Sequence, residues 1–197
     1  AAATNAFGVV SRIDQIAFMP AMSLGMAASA LTGQNLGANK LNRVKEIFKW
    51  GLIITSIITS IISLLVIVFS NAVLSVFGLN GHDLNIGVTY LNFVASCYIF
   101  FAIMFISNGI INGAGRTIIT MMFSLLALWG IRIPLAAILS KTELGLIGIW
   151  IAISAGFLVS MISSLIYYFN GKWKKPNISF GETEKIQVEE ELLRNKA

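Results

Sequence analysis

Five stretches of this sequence are each apolar for about 20 residues or more, the length that carries a helix across the hydrocarbon core of a bilayer. They run Asn5–Leu31, Trp50–Phe77, Ile86–Asn112, Ile118–Leu139 and Leu144–Phe169. Lipid offers a backbone no hydrogen-bond partner, so segments of this kind fold as helices that satisfy themselves. Composition agrees: 56% of the 197 residues are hydrophobic and only 12% are charged. A soluble domain carries about 25% charged residues. The expectation is an all-α membrane protein with five transmembrane helices over residues 1–170. A charged cytoplasmic tail follows over residues 171–197, either mobile or with a short solvated helix over Thr183–Arg194, which holds Glu189, Glu190 and Glu191.

The connections set the orientation through the positive-inside rule. The first holds Lys40, Arg43, Lys45 and Lys49, the third Arg116, and the fifth span is followed by Lys172, Lys174 and Lys175. The second (Asn80, Gly81, His82, Asp83) has no Lys or Arg, and the fourth pairs Lys141 with Glu143. The first and third connections and the C-terminus are therefore expected on the cytoplasmic side of the plasma membrane. The opening AAATNAFG has no basic signal-peptide region and reads as a start within a domain.

Several function classes are disfavoured. One cysteine, Cys97, excludes a disulfide framework within the chain, and one histidine, His82, argues against a metal cluster. The net charge of +5 comes from short loops rather than from a basic, aromatic-laced face, so no nucleic-acid partner is expected. An intramembrane enzyme needs a nucleophile with a His or paired acids at membrane depth. No His and one acid occur there. No enzyme, catalytic residue, metal or cofactor is expected.

Small residues mark the faces where helices meet. Ala17, Ala21, Gly25, Ser29, Gly33 and Gly37 form an i, i+4 ladder, and Gly148, Ala152, Gly156, Ser160 and Ser164 form another. In lipid, such ladders let helices approach closely, because association there rests on packing. The repeat IITS-IITS-IIS at Ile53–Ser63 reads the same way.

Three ionisable residues lie well inside the spans: Arg12, Asp14 and Arg132. Each costs ~3 kcal/mol at mid-bilayer on insertion scales, so such residues face protein or water and often mark function. Asp14 lies about nine residues in from the outer side (~14 Å) and Arg132 about seven (~11 Å), nearly the same layer. One Arg–Asp pair is expected there, with Arg132 and Asp14 the leading partners. Asp14 shares a stripe with Ala17, Ala21 and Gly25, whereas Arg12 points nearly the opposite way. Pro20 and Pro134 each remove a helical hydrogen bond and are hinge candidates. Asn108 and Asn112, one turn apart, either offer amides to a polar ligand or tie helices together.

Arg12-Ile-Asp-Gln-Ile-Ala-Phe-Met-Pro20 with Gly33-Gln34-Asn35-Leu-Gly37-Ala38-Asn-Lys40 and Arg43 resembles the multidrug and toxic compound extrusion (MATE) family. A second block, Asn108-Gly-Ile-Ile-Asn-Gly-Ala-Gly-Arg-Thr117 followed by Arg132-Ile-Pro-Leu135, resembles that family's glycine turn and its next helix. The resemblance covers about residues 1–170 and implies helices eight to twelve of a twelve-helix, two-lobe fold. This chain is then part of the C-terminal lobe, and its partners are the missing N-terminal lobe and the lipid bilayer. The family exports small cationic or amphipathic organic compounds by antiport with protons or sodium ions. The candidates for the substrate or cation pathway are Asp14, Arg12, Asn108, Asn112 and Arg132. The sequence departs from the family at Arg116, where many members carry an acid, and in Ile86–Asn112, which lacks the acid of sodium-coupled members. Two rivals stay open: a flippase for lipid-linked sugars, which requires basic residues for a pyrophosphate, and a non-transporting structural subunit.

Overall fold

The chain is described by a computed structural model over residues 2–142 and 145–174. The acidic part of the expected tail, 175–197, lies outside the described residues. Every element is helical: α1 (Ala2–Gly37), α2 (Leu41–Val68), α3 (Ser70–Val76), α4 (Gly81–Ser96), α5 (Tyr98–Gly113), α6 (Thr117–Leu125), a π-helical run (Leu126–Arg132), α7 (Ile133–Leu139) and α8 (Gly145–Phe169). A 3₁₀ turn at Lys172–Lys174 follows. The five apolar stretches map onto α1, α2 with α3, α4 with α5, α6 through α7, and α8. The third is a pair of helices bent by 45° between α4 and α5.

Two boundaries differ from the sequence reading. The first span runs past its expected end at Leu31: α1 continues to Gly37. Asn35 Nδ2 donates to the Leu31 carbonyl at 2.8 Å, keeping its amide inside the helix. The stop comes at Asn39, whose φ of 56° lets Lys40 N–H close back on the Asn35 carbonyl at 2.8 Å. That is a left-handed C-terminal cap. The third connection repeats the device, with Gly115 at φ 74° and Arg116 N–H on the Ile111 carbonyl at 3.1 Å. The second difference follows from the first. Lys40–Lys49 is not a loop but the opening of α2: Val44 and Phe48 pack inward, and Arg43, Lys45 and Lys49 project outward. The start of α2 is therefore amphipathic.

The core is built around α5, which packs on α1, α2 and α8. The ladder of α1 makes the closest of these contacts. A Cβ placed on Gly25 would sit 2.9 Å from the Phe105 carbonyl oxygen, and one on Gly113 would sit 2.7 Å from Thr32 Cβ. Such backbones touch only where side chains are absent. In the second ladder, a Cβ on Gly148 would lie 2.7 Å from Leu139 Cβ, which seats α8 on α7. The IITS repeat buries Thr55 and Thr59, and Ser63 Oγ donates to the Ala95 carbonyl of α4 at 2.7 Å. Trp173 is 1% exposed, stacks on Tyr168 and donates its indole N–H to the Tyr168 carbonyl at 2.7 Å.

Neither proline carries the sharp break. Pro20 lies inside the continuous α1. Pro134 opens α7 directly after the π-helical run, where the Ile133 N–H reaches back to the Leu128 carbonyl. The bend above 40° falls at Cys97, where no proline stands.

Candidate functional site

Asp14 sits on the packed face of α1, between Val10 and Ile13 below it and Ala17 and Ala21 above, and is 8% exposed. Two phenols meet its carboxylate. Tyr90 of α4 donates to Oδ2 at 3.2 Å, and Tyr98, the first residue of α5, donates to Oδ1. Residues eight apart in a straight helix are ~12 Å apart along its axis. The break at Cys97 changes that: the 45° bend lets both hydroxyls converge on one carboxylate. Aromatic rings then close the site, with Phe18 edge-on to Tyr98 at 4.9 Å and Trp150 edge-on to Tyr90 at 5.4 Å.

The expected Arg–Asp pair does not form. Between described residues the one ion pair is Arg43 with Glu46, at 3.4 Å near the end of the bundle. Asp14 faces α4 and α5, whereas Arg132 leaves the π-helical run toward α8. Its guanidinium lies 6.0 Å from the Phe157 ring centre, beside a small cavity of about 140 Å³ that Gly156 and Ser160 also line. The helices explain the mismatch: α1 packs on α2, α4 and α5, and the fourth span packs on α8. Equal depth did not bring the two side chains into contact. Arg12 is exposed, as its position opposite Asp14 on α1 requires.

The site is therefore a buried carboxyl with two hydroxyl donors and no cation bonded to it. Hydrogen bonds to a charged group contribute ~1.5–3 kcal/mol each. Two of them match the ~3 kcal/mol insertion cost of the acid. The tyrosines thus hold the carboxyl in place.

Asn108 and Asn112 serve as ties. Ser164 of α8 donates to Asn108 Oδ1 at 2.6 Å, and Thr120 of α6 reaches Asn112 Oδ1 at 2.5 Å. Both amides also line a groove of about 430 Å³ between α1, α5 and α6, with Met22, Met26, Met104 and Met121 around it. Methionine is unbranched and polarisable, and lines surfaces that accept varied apolar shapes. The family-motif residues Gly33, Gln34, Asn35, Gly37 and Ala38 lie at the helix stop described above, away from the carboxyl.

Sequence reasoning missed Tyr90 and Tyr98. The depth comparison admitted only ionisable partners. Counted from Ile86, the two tyrosines lie about four and twelve residues in, so they bracket the layer of Asp14.

The MatE family model matches residues 1–138. A probable multidrug resistance protein of Bacillus subtilis, YoeA, is 34% identical over 179 residues, covering 90% of this chain and 38% of its own length. A second from the same organism, YpnP, is 32% identical over 170 residues, covering 86% of this chain and again 38% of its own. The crystal structure of the eukaryotic MATE transporter AtDTX14 superposes with a TM-score of 0.80 at 21% identity, over 89% of this chain and 39% of that one. The likeness in structure is one of fold. The chain spans about two fifths of the length of these relatives.

Proposed function

The chain belongs to the MatE family, and from that premise we propose that it is part of the C-terminal lobe of a multidrug exporter that works by cation antiport. The observation that carries the reading is Asp14: a buried acid with hydroxyl donors and no cationic partner. A carboxyl of this kind can take up a proton or a sodium ion, because its two partners are neutral hydroxyls and no cation is bonded to it. Its two donors come from the two halves of a broken span, so occupancy of the carboxyl is linked to the angle of the break. Cation binding then favours one orientation of the lobe and substrate the other, which is alternating access. The methionine-lined groove faces the transport path, where amphipathic cations meet soft side chains and the Asn108 and Asn112 amides. The first and third connections and the C-terminus lie on the cytoplasmic side, as their charges indicate. The flippase alternative gains no support, since Arg12 and Arg132 point to different surroundings rather than to one anion site.

The test uses the full-length gene product in a drug-sensitive bacterial host. Wild type should restore growth in the presence of a cationic dye, and Asp14→Asn, which keeps the shape, should not, at equal membrane abundance. Full resistance from Asp14→Asn would refute the assignment.

A further inference from the structure

A second feature lies at the other end of α1. A groove of about 620 Å³ runs between α1 and α2. Lys40 and Arg43 line its mouth, and Leu24, Leu31, Trp50 and Ile54 line its length. We propose that this groove binds one anionic phospholipid of the cytoplasmic leaflet, its phosphate on Lys40 and Arg43 and one acyl chain along the groove.

Dimensions and charge both point to this occupant. From Arg43 to Ile54 on α2, and from Asn35 to Leu24 on α1, the wall is eleven residues long, or ~16 Å. One leaflet of hydrocarbon is ~15 Å deep. The polar mouth and the apolar length thus match a headgroup and a chain in register. Ala27 and Ala28 keep the α1 wall low where a chain would lie. Trp50, 57% exposed, stands below the cations, with Lys49 Nζ 5.9 Å from its ring centre. Tryptophan belongs at the interface between headgroups and chains. Between residues 40 and 50 there are four cations and one acid, Glu46. Glu46 pairs with Arg43 at 3.4 Å in an exposed geometry, which holds little. Lys40 keeps its charge uncompensated, and a lipid phosphate completes the cluster. The proposal rests on the expected membrane orientation but not on the transport activity or on Asp14, which lies at the far end of α1.

The experiment is native mass spectrometry of the purified full-length protein, titrated with phosphatidylglycerol and, separately, phosphatidylcholine of the same chains. Wild type should retain the anionic lipid preferentially. Each basic residue near a membrane surface contributes about a fivefold preference, so Lys40→Gln with Arg43→Gln should lower it about 30-fold. Ala27→Phe keeps every charge but fills the groove, and should also lose the preference. Lys45→Gln with Lys49→Gln, outside the groove lining, should lower it less than the Lys40/Arg43 pair does, because neither side chain lines the groove. Arg43→Gln alone, with about a fivefold loss, serves if the double variant is not monodisperse. Three results would overturn the proposal. Wild type could show no preference, as when other chain or a second copy covers the groove. The Lys40/Arg43 variants could bind like wild type. The Lys45/Lys49 variant could lose as much as they do, which would mark diffuse surface attraction rather than a site.

Discussion

Gly113→Ala tests the contact on which the bundle depends. The added Cβ would lie 2.7 Å from Thr32 Cβ and closer still to the Ser29 carbonyl oxygen. Carbon atoms in contact sit ~3.5–4.0 Å apart, so α1 and α5 must separate by about 1 Å. A gap of that size forfeits a quarter to a half of each dispersion contact it opens. Neither neighbour can rotate away, because one is backbone and the other is Cβ. Overpacking of this kind costs ~1–3 kcal/mol. Alanine in place of a helical glycine returns up to ~1 kcal/mol through propensity. The control is Gly8→Ala, in α1, where nothing stands within 4 Å of the new Cβ. It should be neutral or stabilising. Gly113→Ala should therefore be less stable than Gly8→Ala by about 1–3 kcal/mol. Unfolding in detergent, followed by tryptophan fluorescence, reads the difference. Equal stability of the two variants would show that the ladder is not a contact of closest approach.

Other consequences can be measured on the same protein. Tyr98→Phe removes a donor from the Asp14 carboxyl without emptying its ring position; stability should fall by ~1–3 kcal/mol and resistance with it. The Asn108–Ser164 tie crosses α5 and α8, and a double-alanine cycle should give a coupling of about 0.6 kcal/mol, no more than ~1.7. Thr55 Oγ1 is buried with no hydrogen-bond partner, so Thr55→Val should be neutral or stabilising, as thermal unfolding would report. A loss above about 1 kcal/mol would mean that the hydroxyl has a partner after all.

Most of the fold was legible in the sequence because lipid leaves few choices. Apolar length set the five spans, and four-residue ladders set which faces meet; Gly25 and Gly148 stand at close contacts between helices. The chain ends of those spans were harder. Lys40–Lys49 looks like a loop because its charges are dense, yet Val44 and Phe48 give it a buried helical face. The break at Cys97 had no visible marker, since proline was the only breaker sought and the bend is held instead by packing around Tyr98. The candidate site was half legible. Asp14 stood out as an acid in lipid, but its partners did not, because hydroxyl donors carry no charge to betray them. Arg132 misled for the complementary reason. Depth can be counted along a span, whereas which helix a side chain faces depends on how the spans pack, and here α8 lies against the fourth span.

The central claim is that Asp14 links cation binding to transport. The most direct measurement is substrate movement in proteoliposomes containing the full-length protein, with and without an imposed proton or sodium gradient. Wild type should accumulate substrate against its gradient when the coupling cation is supplied. Asp14→Asn should still exchange substrate passively but fail to accumulate it under either gradient. Gradient-driven accumulation by Asp14→Asn at the wild-type rate would contradict the account.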